Sequence, residues 1–495
     1  MHILTPVFFN APMGGLHENI YASACFMLSK GHQVTIICKP GPFSEKLRKK
    51  GIQVIETDFS LHLFSEILTA IETLHSKQPI DLIHAHPFIS RQLGFITSQI
   101  LGLPFLVTLH GKYIDELPKY IGKTDAIFTV SEGIRNYLLN EGRADCPEKI
   151  HIIPNTPDSK LFKKVSTTPT CKNEKRVTIA LVTRLDKDKS FILEVFYQAV
   201  IYAAEKYPER IHWYVVGQGT LQNEMAEKLE ALRGKNQVTF TGWLQDEALR
   251  DAYYRSDAAI APGRCALEAM SCGVPVIALG SKNYTGLIGP QTWQKAVFTN
   301  FGGVGNKQAD YIAGSIEADL DTLMHSAKSR HQLGKFCRNI VFQFFNDNQT
   351  HQRLLGHYQI IRDAYQAQPR PKLPRSNFLE MRLQRIHIKK STADKLQITL
   401  ECEEPETLQF AWYIERDKEI IEKRMYQPNP KLDIKLEPQG QYRVQCYIRD
   451  QTGQKASLWI SSDTQYQQQA NIKTYLNHQK NLPKLNFNIN KEQLG

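Results

Sequence analysis

From its first residue to about residue 350, the chain writes one pattern twice. Short continuous apolar runs are each followed by a longer amphipathic segment. In residues 1–160 the runs are His2–Leu4, Val34–Cys38, Val54–Glu56, Leu82–Ala85, Phe105–Leu109, Ala126–Val130 and Ile150–Ile153. Segments such as Glu18–Ser29, Leu63–Ser76 and Glu132–Asn140 separate them. Strands that are apolar throughout, rather than alternating, are buried on both faces. Alternation with helices then means a parallel, doubly wound α/β sheet. Residues 175–350 repeat this with Val177–Val182, Ile211–Val216, Val238–Phe240, Ala258–Ala261, Val274–Leu279 and Ala296–Phe298. Two such domains face each other across a cleft. In each, ligands sit outside the carboxyl ends of the strands.

The pattern changes after the proline-rich stretch Pro369–Pro374, a stiff linker. An amphipathic helix over 351–368 precedes it and is expected to cross back onto the first domain. Residues 378–466 alternate with period two: Leu396-x-Ile398-x-Leu400-x-Cys402, Leu408-x-Phe410-x-Trp412, Leu432-x-Ile434-x-Leu436 and Tyr442-x-Val444-x-Cys446. That predicts an all-β antiparallel sandwich of immunoglobulin-like type, with Cys402 and Cys446 facing its core as reduced thiols. Residues 158–175 are a polar linker, and 467–495 a loosely held tail.

The formal net charge of +11 favours anionic partners: nucleotide phosphates, a lipid-linked acceptor or an anionic membrane face. No nucleic-acid-binding signature is present. Nine scattered cysteines without a C-x-x-C point to a reducing compartment. The N-terminus reads as a first strand rather than a signal peptide, and no apolar run is long enough to span a membrane. The expected location is cytoplasmic, with peripheral contact at the inner face of the plasma membrane.

Chemistry-bearing residues collect at the predicted strand ends. Gly14-Gly15 follow the first strand and allow close backbone approach. His84 and His86 end another, and Thr108-Leu-His110-Gly111 the next. Three histidines without an accompanying Asp, Glu or Cys set favour hydrogen bonding over a metal site. Arg184 and Lys189 lie in a loop entering a helix, suited to a diphosphate. Gly217-x-Gly219 and Trp243-Leu244 follow later strands. The densest stretch is Ser256–Ala278: a strand, the break Pro262-Gly263-Arg264, then a helix carrying Cys265, Ala266, Leu267 and Glu268. A glycine turn at a helix N-terminus is an anion site.

In their order these motifs make residues 1 to about 370 resemble a family 4 glycosyltransferase, the group called glycosyl transferases group 1. The fold this implies is GT-B, two Rossmann-like domains. The activity it implies is retaining transfer of a hexose from a nucleotide sugar, UDP-linked by expectation, to a glycan or lipid-linked acceptor. The resemblance extends to bacterial surface polysaccharide or glycolipid synthesis. The nucleotide sugar is a co-substrate; no cofactor and no metal is implied.

The resemblance assigns Arg184 and Lys189 to the diphosphate, Glu268 to the ribose hydroxyls and His110 to the reaction centre. Gly14, Gly15, Gly263, Arg264, Cys265, Ala266 and Leu267 would line phosphate and sugar, and Gly217, Gly219, Trp243 and Leu244 the base. His84, His86 and Lys112 are candidates for the acceptor, as is the basic run Lys46–Lys50. One departure stands out. The family's first glutamate falls eight residues before Glu268, and Ile260 is there. Two other readings stand beside the transferase: a related sugar-nucleotide epimerase, or, from this departure and the added sandwich, a non-catalytic glycan-binding scaffold. The sandwich is a candidate site of oligomerisation.

Overall fold

The computed structural model describes residues 1–9, 13–59, 63–114, 117–141, 144–163, 176–230, 237–305, 311–392, 395–435 and 439–465. The expected tail and most of the expected linker after Lys163 lie outside these residues.

Seven strands form the first sheet: β1 (His2–Pro6), β2 (Gln33–Cys38), β3 (Gln53–Glu56), β4 (Leu82–Ala85), β5 (Phe105–Leu109), β6 (Ala126–Thr129) and β7 (Ile150–Ile152). Their order is β3-β2-β1-β4-β5-β6-β7, and every pair is parallel. The residues of β1, β4, β5 and β6 are buried along their whole length, as unbroken apolar runs require.

The second sheet contains β8 (Val177–Val182), β9 (Ile211–Val216), β10 (Gln237–Gly242), β11 (Ala258–Ala261), β12 (Val276–Leu279) and β13 (Tyr284–Leu287), in the order β10-β9-β8-β11-β12-β13. It departs from the sequence reading at one edge. β13 was not foreseen and pairs antiparallel with β12. The run Ala296–Phe298, expected as a strand, closes the helix Trp293–Phe298 instead. Three apolar residues do not distinguish a short strand from the end of a helix.

In both sheets the strand order reverses beside the first strand. β1 lies between β2 and β4, and β8 between β9 and β11. These two switch points open the crevices in which such sheets bind ligands. The helix Asp347–Ala367 then crosses onto the first domain and buries Leu354, Leu355 and Tyr358 in that domain's core. Arg353 donates to the carbonyl of Ile152 at 2.6 Å.

Two antiparallel sheets follow. One is β14 (Leu383–Thr392), β15 (Lys395–Cys402) and β18 (Lys431–Lys435). The other is β16 (Leu408–Arg416), β17 (Glu419–Gln427), β19 (Gln439–Asp450) and β20 (Lys455–Gln465), ordered β17-β16-β19-β20. Alternating residues of β15 and β18 point inward toward Phe410, Trp412, Ile414 and Cys446. Cys446 is buried in this core and Cys402, half-buried, packs against it. Neither forms a disulfide. This unit is docked on the first domain. Leu379, Met381 and Leu383 join its core to that of Phe64 and Ile67 in one cluster. Gln92 donates to Glu380 at 2.6 Å across the junction.

Candidate functional site

A cleft of about 1020 Å³ runs between the two α/β domains at the carboxyl ends of their strands. Its walls include Gly14, Gly15, His110, Arg184, Lys189, Gly217, Trp243, Leu244, Gly263, Arg264, Cys265 and Glu268. Residues from both halves of the sequence therefore meet in one space.

The helix Gly263–Ser271 forms its centre. β11 delivers the chain into it through Pro262, and Gly263 takes a left-handed φ of 46°. No side chain caps its N-terminus. The N–H of Gly263 is already given to the carbonyl of Phe301 at 3.2 Å, so this amide is not free for an anion as the sequence suggested. Ala266 and Leu267 are fully buried behind the helix. Their side chains pack into the core and are not part of the cleft's lining. Glu268, one turn in, is 4% exposed and accepts from Nε of Arg264 at 2.8 Å. Burial pushes its carboxyl upward, and the guanidinium pulls it partly back.

Arg184 and Lys189 are held rather than loose. Arg184 donates to Asp186 at 2.6 Å and to Asp188 at 2.8 Å. Lys189 donates to Ser281 at 2.8 Å and lies 2.9 Å from Asp188. Burial pushes the Asp188 carboxyl up, but its neighbouring cations outweigh this and hold it below its usual range. The glycines beside them serve close packing. A Cβ on Gly217 would stand 1.9 Å from the carbonyl oxygen of Thr183, and one on Gly219 2.3 Å from the backbone of Leu185. Gly219 thus packs the loop and does not reach the cleft. Gly14 differs, since a Cβ there would meet nothing within 4 Å.

The three histidines lie side by side, with ring centroids 4.8 Å apart for His84 and His86 and 5.2 Å for His86 and His110. Only His110 reaches the cleft. His86 shares a hydrogen bond of 3.0 Å with it, between Nδ1 of His86 and Nε2 of His110. His84 is bonded to Tyr358 at 2.5 Å and to Thr108 at 2.7 Å, behind them. All three rings line a small pocket against the crossover helix. Lys112 also lies off the cleft, over the ring of Tyr137 at 4.5 Å. His84, His86 and Lys112, the acceptor candidates, are not part of this cleft's lining.

Burial depresses His84 and His110 to about 3 and His17 to about 4, from an ordinary 6.5. The unfolded chain protonates these rings below pH 6.5 while the folded chain does not. Their contribution is complete above 6.5 and is lost progressively as pH falls toward 3. Each deeply buried ring should remove about 1–2 kcal/mol between pH 7 and pH 5. Urea midpoints across that range should fall accordingly, and a flat profile would contradict it.

Sequence reasoning missed several wall residues. His351, Tyr113 and Tyr21 carry no motif. Asn300 had a visible signal, the run Asn300-Phe-Gly-Gly303. Asn300 and Phe301 both hold left-handed φ values, 51° and 53°. Of the basic run, Lys46 and Lys50 line the cleft. Lys46 bridges Glu18 at 2.9 Å and Asp246 of the other domain at 3.1 Å. Among the described residues no group of three or more His, Cys, Asp or Glu is placed to hold a metal, and no helix is long and apolar enough to cross a membrane.

Comparison with known proteins agrees with this architecture. The family model Glycosyltransferase Family 4 matches residues 13–160, and Glycosyl transferases group 1 matches residues 167–339. A UDP-Gal:alpha-D-GlcNAc-diphosphoundecaprenol alpha-1,3-galactosyltransferase of Escherichia coli is 26% identical over 277 residues, 49% of this chain and 70% of the relative. A glycosyltransferase structure from Rickettsia africae superposes with a TM-score of 0.57 at 20% identity, covering 73% of this chain and 98% of that one. HepE of Anabaena, solved with UDP and glucose, gives 0.54 at 18% identity, covering 73% and 100%. The two matched ranges follow one another in the chain, and together they take in most of both α/β domains and most of the cleft's lining. The chain belongs to the family 4 glycosyltransferases of GT-B fold and is a hexosyltransferase.

Proposed function

We propose that the cleft binds a UDP-sugar and transfers its hexose, with retention, to a glycan or lipid-linked acceptor. The observation that carries this is the meeting of Arg184, Lys189 and Glu268 around one uncapped helix N-terminus, opposite Gly14-Gly15 and His110. Transfer releases a diphosphate that gains negative charge as the glycosidic bond breaks. Preorganised cations and amides stabilise charge where it develops. Arg184 and Lys189, fixed by their carboxylate partners, supply the cations. The amides of Arg264 and Cys265, with the helix dipole, supply the rest. Glu268 accepts from the ribose hydroxyls, and Trp243 and Leu244 flank the base.

His110 is kept neutral by burial, so it acts as a hydrogen-bonding group to the sugar rather than as an acid. The acceptor hydroxyl attacks from the face that the diphosphate leaves, and the diphosphate oxygen takes its proton. No metal and no cofactor enters these steps. The cleft-lining Lys30, Lys46 and Lys50 favour an anionic, lipid-diphosphate-type acceptor at an inner membrane face, as in surface glycan assembly. The E. coli relative, named for a diphosphoundecaprenol acceptor, supports that choice.

NMR of the anomeric proton tests the reading. A UDP-α-hexose should yield an α-linked product, and UDP should be released only when acceptor is present. A β-linked product would sink retention. Conversion of the sugar without acceptor would make the protein an epimerase.

A further inference from the structure

His86 is a buried histidine beside the site, and the transfer chemistry gives it no part. Its backbone is tied on two sides. Its N–H donates to the carbonyl of Pro6, at the end of β1, at 3.3 Å. Its carbonyl accepts from the hydroxyl of Ser90, in the helix Ile89–Leu101, at 2.8 Å. The residue is only 5% exposed. Its ring stands between those of His84 and His110, tilted by 35° to each. His84 is itself held, because Tyr358 bonds to its Nδ1 and Thr108 to its Nε2. The ring of His86 therefore has one packed place.

That place bears on what His110 can do. Nδ1 of His86 and Nε2 of His110 lie 3.0 Å apart, at hydrogen-bond distance. Burial keeps both rings uncharged at neutral pH. It pushes His110 down to about 3 and His86 well below its ordinary value, with His84, His110 and Arg91 adding to the effect on His86. A neutral imidazole has one N–H and one lone pair. One hydrogen therefore lies between the two rings, and the other nitrogen of His110 must take the complementary state. When His86 gives that hydrogen, Nδ1 of His110 is a donor. When His110 gives it, Nδ1 is an acceptor. No other hydrogen bond to the His110 ring occurs among the described residues. With Nε2 engaged by His86, Nδ1 is the nitrogen left for a ligand. A ring held by packing alone would exchange between tautomers and present the wrong one part of the time.

We propose that His86 is a positioning residue: it fixes the tautomer and orientation of His110, and so sets which hydrogen bond His110 makes to the transferred sugar. This rests on the reading above of His110 as the group that bonds to the sugar.

Nitrogen NMR of isotope-labelled histidine rings in the full-length protein, near neutral pH, tests it. His110→Gln identifies the His110 signals by their loss. A fixed tautomer holds the two nitrogens of a ring far apart in chemical shift, and exchange draws them together. Wild type should show the full separation for His110. His86→Leu, similar in size but unable to hydrogen-bond, should bring the two signals together or interchange them. His86→Asn should restore the separation, because its amide places a donor or an acceptor where the imidazole Nδ1 stands. Adding UDP-glucose or UDP-galactose to wild type should then move the Nδ1 signal of His110 more than the Nε2 signal. Averaged His110 signals in wild type would overturn the proposal, whether or not His86→Leu folds. Full separation that survives in His86→Leu would overturn it too, since His86 would then be a packing residue. If neither nucleotide sugar moves Nδ1, the sugar-bonding reading of His110 fails and the inference with it. The two failures are distinguishable, because the tautomer is read without ligand.

Discussion

Replacing Lys189 by alanine should lower the rate of hexose transfer by about 10²- to 10³-fold, and Arg184→Ala should have a comparable effect. That scale is what removal of one preorganised charge or donor at a developing oxyanion produces. The geometry explains why these cations qualify. Lys189 immediately precedes the helix Ser190–Lys206, so its ammonium and the helix dipole act in one direction. Ser281 and Asp188 hold its Nζ at 2.8 and 2.9 Å, and Asp186 and Asp188 clamp the guanidinium of Arg184. Little reorganisation is then needed when the diphosphate arrives. The carboxylates also reduce the field, so each cation acts by position as much as by charge. Steady-state kinetics should show the loss chiefly in kcat. A loss confined to KM would mean that these residues bind substrate and transition state equally.

Gly302→Ala should destabilise the protein by about 2–5 kcal/mol and impair the site together with the fold. Gly302 has φ 92°, in the region closed to most side chains. A Cβ there would lie 2.2 Å from the backbone nitrogen of Gly280. The reverse contact is as tight, since a Cβ on Gly280 would lie 2.3 Å from the carbonyl oxygen of Gly302. Both neighbours are backbone and cannot rotate away. Left-handed strain of about 1–2 kcal/mol and overpacking of about 1–3 kcal/mol give the range. The consequence reaches the cleft because the carbonyl of Phe301, the residue just before it, accepts the N–H of Gly263. Moving this loop shifts the start of the Glu268 helix. Denaturation with urea should show the lower midpoint, and nucleotide affinity should fall in the same variant. Unchanged stability would mean that the loop is freer than its contacts imply.

The strand pattern was legible because parallel strands buried on both faces admit almost no polar residue. Ile260, Ile277 and Leu106 are examples, each fully buried. The edge was less legible. β13 reads Tyr284-Thr-Gly-Leu287, with a glycine inside and no apolar run, and is a strand only because β12 pairs with it. The site was legible where spacing encodes a strand end. Gly14, Arg184 and Glu268 each follow a run that predicts their place. It was not legible where one side chain's role depends on another's. Nothing in the sequence says that Asp186 and Asp188 hold Arg184. Nor does it say that His84 is spent on Tyr358, 274 positions away. The crossover helix was expected from its amphipathic pattern, but its reach into the histidine pocket appears only in three dimensions.

Glu268 stands where all of these arguments meet. Its carboxylate is buried, held by Arg264 and turned toward the cleft at the start of an uncapped helix. The most direct measurement is a calorimetric titration of UDP into wild type and Glu268→Ala. Saturable binding to wild type, weakened at least about tenfold by the substitution, is the predicted result, since a charge-assisted hydrogen bond to ribose is worth about 1.5–3 kcal/mol. Equal affinity in the two proteins would contradict the placement of the nucleotide against this helix.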